Sequence, residues 1–264
     1  MKQFIKSIWF SCKLIKNPET LEIAYNIQND PVFIKTKKSE VEEGKKESNR
    51  TEIINYLLSL TNSENYLEIG VRNPDDNFNK INCKNKYSVD PGVEFDKNPV
   101  DFKLTSDEFF KQLEENKLTI KNNIKFDVIF VDGLHISNQV ELDISNSLKY
   151  LSENGFLILH DCNPPSEYHQ REDYKFFNSP ASVNWNGTTW KAFYKFRINK
   201  EYFSICFDTD FGVGVISKTK YPNFNNLEKL DNYFFEYNQL EKNRTEHLNL
   251  LSFGNWKKFL NNKE

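Results

Sequence analysis

Short apolar runs alternate with segments of helical periodicity through the middle of the chain. The first run is YLEIGV at 66–71, and three further runs end in a polar or acidic residue: KYSVD at 86–90, FDVIFVD at 126–132 and GFLILH at 155–160. The segment TEIINYLLSL before the first run, and residues 136–154 between the last two, place apolar residues at helical spacing. Strands that alternate with helices predict a mostly parallel sheet covered by helices on both faces.

Two more strand-like runs follow in YFSICFDTDFGVGVISK, at residues 202–218. The few residues between them are too short for a crossover helix, so the two strands must be antiparallel neighbours. The sequence therefore predicts an α/β fold in which a parallel sheet ends in an antiparallel hairpin.

The distribution of charge suggests three regions. Residues 51–218 contain the sheet. Residues 1–50 combine a basic amphipathic helix with a charged segment at 35–50, KTKKSEVEEGKKESNR, that we expect to be an exposed linker. Residues 219–264 are expected to form one or two appended helices, a candidate surface for self-association. The first helix is too short and too charged to span a bilayer. Packing on its own domain and weak contact with an anionic membrane surface are both left open.

Composition excludes several classes of function. Hydrophobic residues make up 38% of the 264 residues and aromatic residues 15%, which is too much apolar surface for a disordered chain. The net charge is -3 and only 5 of the 35 basic residues are Arg, so we do not expect a nucleic-acid partner. The four cysteines contain no C-x-x-C pair, and no signal peptide is evident, which favours reduced thiols and a cytoplasmic location.

Ligands of open α/β sheets bind beyond the carboxyl ends of the strands, so the residues that close each run are the first candidates for a site. These residues are Glu68, Gly70, Asp90, Asp132, His135, Asp161 and Asn163.

At these positions the sequence resembles the class I S-adenosylmethionine-dependent methyltransferases. The resemblance rests on YLEIGVR at 66–72 for the first strand, YSVDPG at 87–92 for the second, TSDEFF at 105–110 after the third, FVDGLH at 130–135 for the fourth and LILHDCN at 157–163 for the fifth. The pieces WNGTTWKAFYKFR and DTDFGVGVI are similar to the closing helix and hairpin of a bacterial subgroup found with sugar and surface-glycan biosynthesis. The resemblance implies a Rossmann-like, seven-stranded, mostly parallel sheet with a C-terminal antiparallel hairpin.

The resemblance also implies residues that bind S-adenosylmethionine. Asp90 would accept hydrogen bonds from the ribose hydroxyls, and Glu68 and Gly70 would lie beside the methionine part. The remaining positions implied to bind the cofactor are Arg72, Ser106, Asp107 and Asp132. From the residues alone, a plain turn also explains Gly70, and a helix cap also explains Ser106.

A second group implied by the resemblance combines a metal site with a base. Asp132 and Asp161, with Asn163 as a weaker third ligand, offer the hard oxygen donors that Mg²⁺ or Mn²⁺ prefers. His135 is similar to the proposed general base of the sugar-modifying branch. The alternatives are an N-cap role for Asp132 and, for His135, either a satisfied surface histidine or one that only supports the residues that bind.

The predicted function is therefore methyl transfer from S-adenosylmethionine, metal-assisted, to the oxygen of a sugar or another small hydroxylated acceptor. Two other functions stay open at this point. One is a nucleotide-sugar-binding enzyme of the same fold, and the other is a non-catalytic binding module in glycan assembly.

Overall fold

The computed structural model describes residues 18–95 and 97–261. The amphipathic helix expected within residues 1–16 lies outside this part of the chain. Among the described residues, no helix is long and apolar enough to cross a membrane.

Eight helices and seven strands make up the described regular structure. The helices are α1 (Pro18–Asn29), α2 (Pro31–Glu43), α3 (Arg50–Leu60), α4 (Ser106–Glu114), α5 (Ser137–Tyr150), α6 (Thr189–Phe196), α7 (Tyr237–Leu248) and α8 (Phe253–Asn261), with a short 3-10 helix at Phe78–Lys80. The strands are β1 (Asn65–Ile69), β2 (Asn85–Val89), β3 (Phe126–Val131), β4 (Leu151–Leu159), β5 (Phe203–Phe207), β6 (Val213–Ser217) and β7 (Leu250–Leu251).

All seven strands belong to one sheet with the order β2-β1-β3-β4-β6-β5-β7. Strands β2, β1, β3 and β4 pair in parallel. Strand β6 runs antiparallel to both β4 and β5. The structure thus confirms the predicted mostly parallel, Rossmann-like sheet with its antiparallel hairpin.

Two strands of this sheet differ from the pattern that the resemblance implied. The strand expected before Thr105 is reduced to a single bridge between Val89 and Phe102. The seventh strand is instead β7, two residues long, which pairs with β5 from the C-terminal part of the chain. The residues after 219 therefore extend the sheet as well as adding helices.

Helices cover both faces of the sheet, as expected. Alternate residues of each strand point to opposite faces. Leu67 and Leu157 belong to a buried cluster that also contains residues of α4, α5 and α6. Tyr66 and Phe156 belong to a second cluster, on the other face, with residues of α3 and α8. The sheet is therefore buried on both sides, which explains its continuous apolar strands.

The charged segment at 35–50 differs from the linker expected of it, because helix α2 continues to Glu43. The Asp30 carboxylate caps α2 by accepting from the backbone N–H groups of Val32 and Phe33, at 2.9 and 2.8 Å. Lys37 pairs with Glu40 on its surface, at 2.8 Å. These local contacts stabilise the helix. The lack of an apolar period after residue 35 therefore wrongly indicated a linker.

Candidate active site

A cavity of about 340 Å³ opens at the carboxyl ends of β1, β3 and β4. The three parallel strands end at the same edge of the sheet, so the residues that follow them converge. Around the cavity lie six of the residues singled out from the sequence: Glu68, Gly70, Arg72, Asp132, His135 and Asp161.

Two carboxylates and two imidazoles alternate in the floor of this cavity and form what we call the acid–histidine cluster: Asp132, His135, His160 and Asp161. His135 Nε2 lies 3.2 Å from Asp132 Oδ1, and His135 Nδ1 lies 3.1 Å from Asp161 Oδ2. His160 Nδ1 contacts the same two oxygens, at 3.1 and 3.2 Å. Each carboxylate is thus shared by both imidazoles.

Electrostatic interactions within the cluster shift the pKa values of its members. Burial acts to lower the pKa of His135, but Asp161 and Asp132 outweigh burial and raise this pKa to about 8. Burial acts to raise the pKa of Asp132, but His160, His135 and Arg50 hold it well below its usual value. Such opposite shifts in neighbouring groups are typical of functional sites.

The structure speaks against an N-cap role for Asp132 and against a surface position for His135. The N-cap residue of the following helix α5 is Ile136, not Asp132. The His135 side chain is 16% exposed and lies between two carboxylates, unlike an ordinary surface histidine.

The indole of Trp185 covers one face of His135. The ring centroids are 5.0 Å apart and the planes are 21° apart. The carbonyl oxygen of Trp185 also lies 3.2 Å from His135 Nδ1. On its outer side the indole contacts Tyr174, at 5.4 Å between centroids. The loop that contains Trp185 therefore fixes the orientation of the His135 imidazole, the candidate base.

Glu68 is a buried residue of strand β1 that lines the cavity. Its Oε2 accepts hydrogen bonds from the Tyr66 hydroxyl at 2.6 Å and from Asn77 Nδ2 at 2.9 Å. Burial raises the pKa of Glu68 to about 7, although the Tyr66 bond opposes this shift. Near neutral pH, the neutral and charged forms of Glu68 are therefore similarly populated.

Gly70 has a structural reason to be glycine. Its φ is +91°, and a Cβ atom there would lie 2.2 Å from the carbonyl oxygen of Asp132. The residue lets the ends of β1 and β3 approach each other. Arg72, two residues later, lines the cavity and pairs with Asp76 at 2.9 Å.

Three residues expected to bind the cofactor do not line the cavity around the cluster: Asp90, Ser106 and Asp107. Asp90 closes β2, where its Oδ1 accepts from Gly92 N and Asn98 Nδ2. The cap of α4 is Thr105, which forms a capping box with Glu108, so Ser106 is the first helical residue and not the cap.

Asn163 is turned away from the other two residues expected to bind a metal. Its Nδ2 donates to Asp208 Oδ1 at 3.0 Å, and its Oδ1 accepts from Arg244 of α7. The backbone turns at Asp161, whose φ is +60°, so successive side chains after β4 do not continue toward the cavity. The structure does not bring Asn163 together with Asp132 and Asp161.

A different third donor lies beside those two carboxylates. One ligand atom each of Asp132, His135 and Asp161 lies within 4.8 Å of the others. Carboxylate oxygens and an imidazole nitrogen form a donor set that suits Mn²⁺ and other divalent transition metals. Asp132 and Asp161 could therefore hold a divalent cation, with His135 rather than Asn163 beside them.

Two residues of the cavity were missed from the sequence. Arg50, the first residue of α3, places Nη1 2.9 Å from His160 Nε2 and 3.2 Å from Asp210 Oδ1. Asp210 lies in the turn between β5 and β6. One signal in the sequence pointed to Arg50: it is one of five arginines among 35 basic residues. Asp210 stood in a motif matched to the hairpin and carried no signal of its own.

The comparison with protein families concerns the segment from β1 to the end of β4. Residues 67–162 match the family model for a methyltransferase domain. This match confirms the prediction of a methyltransferase. The methyltransferase domain contains Glu68, Gly70, Asp132, His135 and Asp161, all of which line the cavity.

Solved methyltransferase structures are similar to the chain, at low identity and with TM-scores below 0.5. An O-methyltransferase from Bacillus cereus in complex with SAH has 11% identity and a TM-score of 0.42, over 72% of this chain and 91% of that one. An SAH-bound methyltransferase from Podospora anserina has 15% identity and a TM-score of 0.44, over 77% and 97%. The O-methyltransferase TomG from Streptomyces achromogenes has 11% identity and a TM-score of 0.43, over 76% and 96%. No curated protein matches the chain.

Proposed function

We propose that the protein is an S-adenosylmethionine-dependent O-methyltransferase that acts, with the help of a divalent cation, on a sugar or another small hydroxylated acceptor. The observation that carries the proposal is the position of His135, held between Asp132 and Asp161 in a cavity of the methyltransferase domain. An imidazole in such a place suits proton transfer from a hydroxyl group.

Residues of the cavity, and Asp90 at the end of the neighbouring strand β2, fit the cofactor. Both hydrogen bonds that Asp90 accepts from described residues end on Oδ1, which leaves Oδ2 for a ribose hydroxyl. Glu68 and Arg72 line the cavity and offer one acidic and one basic group as partners for the cofactor's amino and carboxylate groups. When bound, S-adenosylmethionine supplies a methyl group on a positively charged sulfur atom. Ser106 and Asp107 stay candidates for the adenine side.

His135 provides the proton acceptor in this proposal. Its Nδ1 faces two acceptors, Asp161 Oδ2 at 3.1 Å and the carbonyl oxygen of Trp185 at 3.2 Å, whereas Nε2 faces one. Above its raised pKa of about 8 the ring loses one proton, and this asymmetry keeps the remaining proton on Nδ1 and leaves a lone pair on Nε2. Nε2 would then take the hydroxyl proton while the acceptor oxygen displaces the sulfur of the bound cofactor and gains its methyl group.

Asp132 and Asp161 would hold the cation. A divalent ion between these carboxylates would orient the acceptor hydroxyl and make it more acidic. With His135 assigned to the proton, the two carboxylates are the protein ligands and water supplies the rest, which is common for Mg²⁺.

Binding of the cofactor is the first test. Isothermal titration calorimetry with S-adenosylmethionine should give saturable binding by the wild type. Asp90→Ala should lose about tenfold or more in affinity, because the ribose loses a charged acceptor. Asp75→Ala, an exposed carboxylate outside the cavity, is the matched control and should bind like the wild type. Heat with UDP-glucose and none with S-adenosylmethionine would favour a nucleotide-sugar enzyme instead.

Methyl transfer itself is tested with radiolabelled S-adenosylmethionine and a panel of free and nucleotide-linked sugars, with and without Mn²⁺. His135→Gln should keep cofactor binding and lose about a hundredfold or more in rate. Cofactor binding without transfer to any hydroxylated compound would support the non-catalytic binding module. A cytoplasmic location, a place in glycan biosynthesis, membrane contact by the first residues and self-association stay predictions from the sequence.

A further inference from the structure

We infer that Arg50 and Asp210 are positioning residues of the candidate active site, which act through His160 on Asp132 and Asp161. The inference deepens the proposed function and rests on it, because it assigns these two residues a place in the same reaction. Neither residue belongs to the matched methyltransferase domain, which spans residues 67–162.

The His160 ring is held from both sides. On the Nδ1 side it contacts Asp132 and Asp161. On the Nε2 side it contacts Arg50 Nη1 at 2.9 Å and Asp210 Oδ1 at 3.4 Å. The ring is buried, so water does not replace these partners. The orientation that His160 presents to the two carboxylates therefore depends on Arg50 and Asp210.

Arg50 and Asp210 fix each other in turn. Asp210 Oδ2 accepts from the Arg50 backbone N–H at 2.8 Å, and Oδ1 accepts from Nη1 at 3.2 Å. The Arg50 side chain is 25% exposed, and its Nε lies 4.0 Å from Asp132 Oδ2. A planar guanidinium with donors in a fixed fork suits simultaneous contact with a ring nitrogen and a carboxylate.

The turn that carries Asp210 has an unusual backbone. Asp210, Phe211 and Gly212 have φ values of +48°, +61° and +93° in succession. The left-handed conformation is strained for a residue other than glycine, and such strain persists where the surroundings enforce it. The carbonyl oxygens of Phe211 and Gly212 accept from the backbone N–H groups of Asn163 and Cys162, at 2.8 and 2.9 Å. The strained turn is thus bonded to the chain that directly follows His160 and Asp161.

Besides Arg50 and Asp210, other contacts already join the segment before α3 to the turn between β5 and β6. Lys46 forms an ion pair with Asp208, and the Thr209 hydroxyl donates to the carbonyl oxygen of Ser48. Neither contact reaches the acid–histidine cluster. Because these contacts attach the segment before α3 to the turn, the contacts of Arg50 and Asp210 with His160 are not needed for that attachment.

The experiment measures the His160 ring directly. Nitrogen-15 NMR of the labelled protein reports the ring resonances of its four histidines, and those of His160 are assigned by a His160→Asn variant. Arg50→Gln should shift the His160 Nε2 resonance because the ring loses its nearest partner on that side. Asp210→Asn, which keeps the shape of the side chain, provides a second variant in case Arg50→Gln does not fold.

Lys46→Ala is the matched control, since it removes a contact between the same two segments without touching His160. Lys46→Ala should lower Tm and leave the His160 resonances where the wild type has them. Wild-type resonances in Arg50→Gln and Asp210→Asn, or an equal shift in Lys46→Ala, would overturn the inference. Calorimetry with S-adenosylmethionine on the same wild-type sample tests the proposed function separately, since loss of cofactor binding there leaves the NMR result readable.

Discussion

The indole ring of Trp185 stacks on the imidazole of His135, and its carbonyl oxygen faces Nδ1 of the same ring. Trp185 thus holds the plane of the His135 ring through its indole and contacts Nδ1 through its carbonyl oxygen. The remaining nitrogen, Nε2, is the one assigned to the acceptor proton.

Trp185→Ala should therefore impair the reaction more than it impairs the fold. We expect a loss of stability of about 1 kcal/mol from the stacked pair, and a fall of about tenfold or more in methyl transfer as His135 loses its orientation. Cofactor affinity should not change. Tyr174→Ala is the control, because Tyr174 contacts Trp185 but not His135. An equal fall in rate for both variants would contradict the role given to Trp185.

Gly70→Ala should destabilise the protein and displace Asp132. The added Cβ would lie 2.2 Å from the carbonyl oxygen of Asp132 at a φ of +91°, so we expect a loss above about 2 kcal/mol in the free energy of unfolding by urea. Gly254→Ala in α8 is the matched control. A Cβ there meets no atom within 4 Å, and alanine favours the helix by about 0.5 kcal/mol or more. Similar stability changes in the two variants would show that the close approach at Gly70 is relaxed in solution.

Glu68 should make stability depend on pH. Its folded-state pKa is raised from 4.5 to about 7, so the folded chain keeps a proton that the unfolded chain releases, and stability falls as pH rises through this window. We expect the wild type to lose up to about 3 kcal/mol between pH 4.5 and 7 relative to Glu68→Gln. Urea unfolding at several pH values measures this difference. If the stability difference between the wild type and Glu68→Gln stays constant with pH, Glu68 is not buried as described.

Substitutions at Asp161 and Asn163 should separate the two residues expected to bind metal after β4. Asp161→Asn keeps a residue type that tolerates a φ of +60° but removes the charge, so Mn²⁺ affinity should fall about tenfold or more. Asn163→Ala should leave Mn²⁺ affinity unchanged and lower Tm, because Asn163 bonds Asp208 and Arg244 instead. Calorimetry with MnCl₂ measures both. Weaker Mn²⁺ binding by Asn163→Ala would show that Asn163 is a metal ligand after all.

The sequence predicted the sheet and the side chains at its edge because both follow from local pattern. Continuous apolar runs indicated buried parallel strands, and the residues that end them, such as Asp132 and Asp161, converge by topology. The orientation of Asn163 could not be predicted. It depends on the backbone turn at Asp161 and on Arg244, which approaches from a helix about 80 residues further along the chain.

Arg50 was missed for a related reason. It ends a charged stretch that looks like a linker, and its partner Asp210 is 160 residues away in sequence. Neither local composition nor periodicity reports a pairing over that distance. The same holds for the cap of α4, where Thr105 and Ser106 are equally good residue types and the geometry selected Thr105.

The strained turn at Asp210 also has a consequence for synthesis of the chain. Arg50 leaves the ribosome early, but the carboxylate that orients it belongs to a turn made 160 residues later. A nascent chain that ends before β5 can contain the whole matched methyltransferase domain and still lack the partner that completes the Nε2 side of His160.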